Sequence, residues 1–317
     1  MANEKKLIAT RDAYGKTLAM LGKENPNIVV LDADLAASTK TILFKNAFPE
    51  RFFDMGIAEQ DMISTAAGFA ACGKIAFAST FAVFGSGRTW DQIRMSCAYT
   101  RLNVKVVVTH GGITTGEDGA SHQANEDIAI MRAIPNMTVV VPSDAVETEK
   151  VIRAAADFHG PMYIRLSRLA TPVINDNEKY KFKLGKGIVL KEGKDVTIFA
   201  CGIMVGSALE AAEKLAEENI FAEVINLHTI KPIDKKLIIE SSSKTKAVVT
   251  VEEHSILGGL GGAVAEILVE NNPVPMQRVG VKDTFGESGK PHELLVKYGL
   301  MPSNIISAVK SVISRKK

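Results

Sequence analysis

The chain has 317 residues, 46% apolar and 23% charged, long enough for two domains with full cores and ordinary in composition for a globular protein. A net charge of +2 gives no electrostatic case for nucleic acid or a membrane surface, and no apolar run is long enough to span a bilayer. Residues 1–6 lack the apolar segment of a secretory signal, and Cys72, Cys97 and Cys201 form no Cys-x-x-Cys pair, so unpaired thiols in the cytoplasm are expected.

Strand and helix patterns alternate along the chain. Thr10 is placed to cap a helix over 10–23. A β-rich run at 28–31 ends at Asp32-Ala33-Asp34. A helix over 58–72, a strand at 75–79, a helix over 87–99 and a strong strand at 104–109 follow. A glycine-rich loop at 111–119 leads to a helix at 126–132, a strand at 138–141, a helix after the turn Pro142-Ser143-Asp144, and a strand at 162–166. Residues 169–194 change character. Pro172, Asn175, Asp176, Asn177 and a run of Lys and Glu show no long apolar period, which marks a domain boundary. The rhythm restarts with strands at 196–200, 222–227 and 247–251 and helices at 205–218, 234–243 and 260–270. The basic end at 315–317 reads as a solvated tail. Continuous apolar strands separated by helices mean parallel sheets covered on both faces. The expected architecture is α/β, with two doubly wound domains of mainly parallel sheet at 1–175 and 185–317. Ligands of such sheets bind beyond the carboxyl ends of the strands, where Asp34, Phe81, His110 and Arg168 would converge.

Several segments invite a chemical reading. Glu59, in Gly56-Ile57-Ala58-Glu59-Gln60, opens an apolar stretch rich in small residues. A carboxylate there suits the positive end of the helix dipole or, in low dielectric, proton carriage near neutral pH. The loop from His110 to Gln123 sets His110, Glu117, Asp118 and His122 on a glycine frame that lets backbone approach a ligand. Its histidine spacing fits no common zinc pattern, so no metal ligand is assigned to this chain. A polyhydroxylated, anionic substrate suits the loop better. Phe81 and Phe84 are either core or a flat wall for a heteroaromatic ring. Gly258-Gly259-Leu260-Gly261-Gly262 lacks the tight strand-to-glycine turn and the later acidic residue of a dinucleotide fingerprint, and reads as a packing and turn feature.

Together, Asp32-Ala33-Asp34 with Ser38, Gly56 through Gln60, Ser79 through Phe84, Asp91-Gln92-Ile93-Arg94, His110 through Gln123, Pro142-Ser143-Asp144 and Ile164 through Arg168 resemble transketolase. They come in family order across essentially the whole chain, and Gly116-Glu117-Asp118-Gly119-Ala120-Ser121-His122 is the most specific run. The likeness covers only the pyrimidine-binding and C-terminal domains. The Gly-Asp-Gly and later Asn that hold the diphosphate and metal in the family have no counterpart here.

The resemblance therefore implies the C-terminal subunit of a split transketolase, with thiamine diphosphate as cofactor. An N-terminal subunit would hold Mg²⁺ or another divalent metal. By the same resemblance Glu59 and His122 are catalytic, Glu59 bonds the ring nitrogen of the aminopyrimidine, and Phe84 and Phe81 pack on that ring. Ser38, His110, Asp118, His122 and Arg168 would bind sugar phosphate, with a further phosphate-contacting arginine supplied by the N-terminal part. His122 stands where some family members carry Gln. The implied reaction is transfer of a two-carbon ketol unit from a ketose phosphate to an aldose phosphate. The implied assembly is a homodimer of this chain within a two-plus-two heterotetramer, the C-terminal domain serving packing and dimer contacts. Two relatives share parts of the pattern, the β subunit of 2-oxoacid dehydrogenase E1 and deoxyxylulose-phosphate synthase. A non-catalytic, partner-binding relative is the reading outside enzymes, and Glu59 with both aromatics and the whole loop argues against it.

Overall fold

The computed structural model describes residues 6–316, so residues 1–5 of the N-terminal reading and residue 317 of the basic tail lie outside it. A seven-stranded sheet organises the first half, in the order Thr229–Lys231, Thr138–Val140, Met162–Arg165, Val104–Thr109, Ile75–Phe81, Ile28–Asp32, Phe52–Asp54. All its pairs are parallel except the edge strand Thr229–Lys231. The central strands are buried on both faces, and every residue of Val104–Thr109 is buried. That burial is why they read as unbroken apolar runs rather than alternating ones. Lys105, the exception in composition, turns its Nζ to the carbonyls of Phe158 and Gly160 at 2.6 Å each.

Helices cover both faces, as the alternation required. Thr10–Glu24 and Ala145–Asp157 lay Tyr14, Leu18, Leu21, Val151 and Ile152 on one side. Glu59–Ala71 covers the other with Met62, Ile63, Ala66, Ala67 and Ala70, a helical spacing whose small residues permit close approach to the strands.

The second half forms a five-stranded sheet ordered Met276–Val281, Val248–Ser255, Val196–Ala200, Ala222–Asn226, Ile188–Lys191, with only the last strand antiparallel. Both halves are thus α/β units with mainly parallel sheets, as expected. They also share a core. One apolar cluster runs from Ala66 and Ile128 through Leu227 and Ile230 to Leu260 and Val264.

One strand was not foreseen, and two local expectations need correction. Thr229–Lys231 leaves the second half to pair with Thr138–Val140 of the first sheet, and a strand this short gives no periodicity to detect. The helix expected over 87–99 is instead a π-turn at Phe84–Arg88, a short α-turn at Trp90–Gln92 and a second π-turn at Ile93–Tyr99. Such widened turns cluster at functional sites. Thr10 does not cap its helix. Its hydroxyl accepts the Ser167 N–H at 2.8 Å and lies 3.3 Å from the Ser167 carbonyl.

The stretch at 169–194 is anchored at several points. Ala170–Pro172 pairs with Leu7–Ala9, and Asp144 accepts the N–H groups of Ile174 and Asn175 at 2.8 Å each. Glu147, fully buried, accepts from the Ser143 N–H, the Tyr180 hydroxyl and the Asn226 amide of the second sheet.

Candidate functional site

At the carboxyl edge of the first sheet, Arg11, Ala37, Ser38, Lys40, Phe81, His110, Asp118, His122 and Arg168 line an open cleft of about 440 Å³. Each arrives by a local cause. Thr10 and Ser167 are clamped by their paired hydrogen bonds, and the residues that follow them are Arg11 and Arg168. The clamp brings the two arginines to the same cleft. Asp32, at the end of its strand, accepts the Leu35 N–H at 2.7 Å and the hydroxyls of Thr39 and Thr41 at 2.7 and 2.8 Å. Those bonds shape the turn that carries Ser38 and Lys40. Burial pushes the Asp32 carboxyl up to about 6, against the pull of the same hydrogen bonds.

His110 sits at φ +61°, a left-handed conformation that a histidine adopts only at a cost. Arg11 Nη1 reaches both the Ser38 carbonyl, at 3.0 Å, and His110 Nε2, at 3.4 Å. A guanidinium only donates, so Nε2 is the acceptor, and Nδ1 carries the hydrogen toward Thr109 Oγ1 at 2.8 Å. Burial first, then Arg11, Arg168, His122 and Lys40, push the imidazole down to about 3. His110 is therefore neutral at physiological pH. The positive charge of the cleft comes from Arg11, Arg168 and Lys40, a set suited to an anionic group. Arg168 also donates to the Thr115 carbonyl and lies 3.6 Å from Asp118.

An aromatic wall adjoins this cluster. Phe81 stacks on His110 with ring centroids 3.8 Å apart and on Phe84 at 6.1 Å, while His122 meets Phe84 edge-on at 5.2 Å. Arg88 continues the wall, its guanidinium 4.2 Å from the Phe84 centroid, and bonds the buried Glu59 at 2.9 Å. A buried carboxyl joined through Arg88 to a flat aromatic face suits an aminopyrimidine, as a partner for its ring nitrogen and a surface to stack on.

Of the residues singled out from sequence, Ser38, Phe81, His110, Asp118, His122 and Arg168 share the cleft, and Glu59 with Phe84 adjoins it through Arg88. Asp34 does not join them; it is exposed, with its N–H on Asp54. Sequence reasoning missed Arg11, Lys40 and Arg88. Arg11 left one clue, since a cation in the first turn of a helix opposes the dipole there. Arg11 adds a guanidinium of this chain's own to the cleft, facing Ser38 and His110. Among the described residues no group of three His, Cys, Asp or Glu could hold a metal ion.

The glycines at 258–262 have a packing role. Glu252 accepts the N–H groups of Leu260 and Gly261 at 2.7 and 2.8 Å, so the helix N-terminus is already satisfied by an internal anion.

The family described as transketolase, pyrimidine binding domain, matches residues 6–173. The chain belongs to the transketolase family. The transketolase C-terminal domain matches residues 185–305. A transketolase C-terminal section from Methanocaldococcus jannaschii is 54% identical over 301 residues, 94% of each chain. A 6-deoxy-6-sulfo-D-fructose transketolase subunit from Clostridium sp. strain MSTE9 is 47% identical, covering 96% of this chain and 95% of the relative. A solved structure described as split gene transketolase, inactive beta4 tetramer, superimposes with a TM-score of 0.92 at 55% identity, over 98% of this chain and all of the other. The pyrimidine-binding family implies thiamine diphosphate as cofactor, and its aminopyrimidine would find Glu59 and the Phe84–Phe81 wall joined through Arg88. No helix among the described residues is long and apolar enough to cross a membrane.

Proposed function

We propose that this chain is the C-terminal subunit of a split transketolase that moves a two-carbon ketol unit between sugar phosphates. The observation that carries this reading is the juxtaposition of a buried Glu59 beside an aromatic wall with a cleft bearing Arg11, Lys40 and Arg168. Bound thiamine diphosphate supplies the electron sink for breaking and forming a carbon–carbon bond beside a carbonyl. Glu59 would bond the aminopyrimidine ring nitrogen, where its carboxyl could exchange a proton. Phe84 and Phe81 hold that ring flat, and Asp118 and His122 orient substrate hydroxyls. Arg11, Arg168 and Ser38 take the anionic end of the sugar, and neutral His110 keeps Arg11 aimed through its Nε2. A separate N-terminal subunit holds the diphosphate and its divalent metal, in a cytoplasmic assembly of two copies of each chain. Its place is among the sugar-phosphate interconversions of the pentose phosphate pathway.

The anion need not be phosphate, because the Clostridium relative is named for a sulfonated sugar. The test supplies this chain and its N-terminal subunit with thiamine diphosphate and Mg²⁺. Xylulose 5-phosphate or a 6-sulfonated ketose serves as donor, and ribose 5-phosphate as acceptor. A seven-carbon ketose phosphate is expected, formed faster from the phosphorylated donor. Preference for the sulfonate would move the substrate assignment, and product from neither donor would sink the reading.

A further inference from the structure

The second half was expected to serve packing and dimer contacts, yet one of its carboxylates enters the glycine-rich loop of the first. Glu253 lies on Val248–Ser255 and is 4% exposed. Its Oε1 accepts the Thr114 N–H at 2.6 Å. The approach requires glycine at 112: a Cβ there would stand 2.4 Å from the Glu253 carboxyl carbon, and φ is +83°. Arg165 fixes the backbone behind this carboxylate, donating to the Glu253 carbonyl at 2.9 Å and pairing with Asp127 at 2.8 Å. The turn that Glu253 grips carries the cleft's contacts onward. Thr115 donates from its hydroxyl to the His110 carbonyl at 2.8 Å, and its own carbonyl accepts from Arg168.

We propose that Glu253 is a positioning residue, which holds the Thr114–Thr115 turn so that Arg168 and His110 are preset for the anionic end of the sugar. The inference rests on the transketolase reading above. It assigns to the second domain a part in substrate recognition. Removing the carboxylate frees the Thr114 N–H and lets the Arg168 acceptor drift, while Glu59 and Phe84, held through Arg88, stay in place.

The test uses the complete two-subunit enzyme with glycolaldehyde as acceptor and two donors, xylulose 5-phosphate and the unphosphorylated hydroxypyruvate. Glu253→Ala is expected to raise KM for xylulose 5-phosphate about tenfold or more, with kcat and the hydroxypyruvate KM held within about twofold. Glu253→Gln keeps an acceptor oxygen for Thr114 and should restore KM to within about twofold of the parent. Gly112→Ala attacks the same contact from the first domain and should reproduce the donor-selective defect, which keeps the test open if Glu253→Ala fails to fold. Equal losses for both donors, or no change in KM for either, would overturn the proposal. Absence of transfer from both donors in the parent enzyme would instead sink the functional reading itself.

Discussion

Glu59→Gln is expected to lower turnover about 10²–10⁴-fold or more while leaving the fold intact, the scale on which a positioned proton carrier contributes. Glutamine preserves the shape and an acceptor oxygen at the head of Glu59–Ala71, and Arg88 still has that oxygen to bond. What the proposed role loses is a carboxyl group able to pass a proton to the pyrimidine ring nitrogen. The loss should appear in kcat and kcat/KM together, because the proposed interaction would belong to the chemical step and not to sugar binding. The check is steady-state kinetics of the complete enzyme, with thermal unfolding as the folding control. A variant within about threefold of the parent would remove Glu59 from the proton path, since a contribution that small lies well below the usual range.

Arg11→Ala and Arg168→Ala should each raise KM for a phosphorylated donor by about 10–100-fold, the worth of a charge-assisted hydrogen bond. Their effects should not simply add. The two side chains sit on residues clamped together by Thr10 and Ser167, and both lower the basicity of His110, so they share an environment. Arg168→Lys should restore only part of the affinity, because an ammonium cannot reproduce a planar fork. Donor-dependent KM values decide the matter. Equal effects on phosphorylated and unphosphorylated donors would place these arginines in the framework and not at the anion.

Sequence reading reached the parts of this molecule governed by local pattern. Val104–Thr109 and Ile75–Phe81 read as strands because burial on both faces leaves an apolar run, and Asp144 read as a turn residue because its side chain caps the next helix, accepting from Glu147. The loop from His110 to Gln123 stood out because glycines and titratable groups crowd together in it. What escaped detection depends on distance along the chain. Arg88 is 29 residues from the Glu59 it meets, and Glu253 is 139 residues from Thr114. The π-turn at Phe84–Arg88 is a widened helix that 3.6-residue periodicity does not describe. Thr229–Lys231 joins the first sheet only because the second half folds back onto it. In each of these cases tertiary packing outweighed a weak or neutral local preference.

The measurement that reaches furthest is a titration. This chain is held at fixed concentration with thiamine diphosphate and Mg²⁺, the N-terminal subunit is added in steps, and seven-carbon ketose phosphate is followed as product. Expected is no turnover at the start and a rise that saturates when the two subunits are equal in number, the signature of a site built from both. Full activity before any partner is added, or none at any ratio although a stable complex forms, would contradict the assignment of this chain as one half of a shared transketolase site.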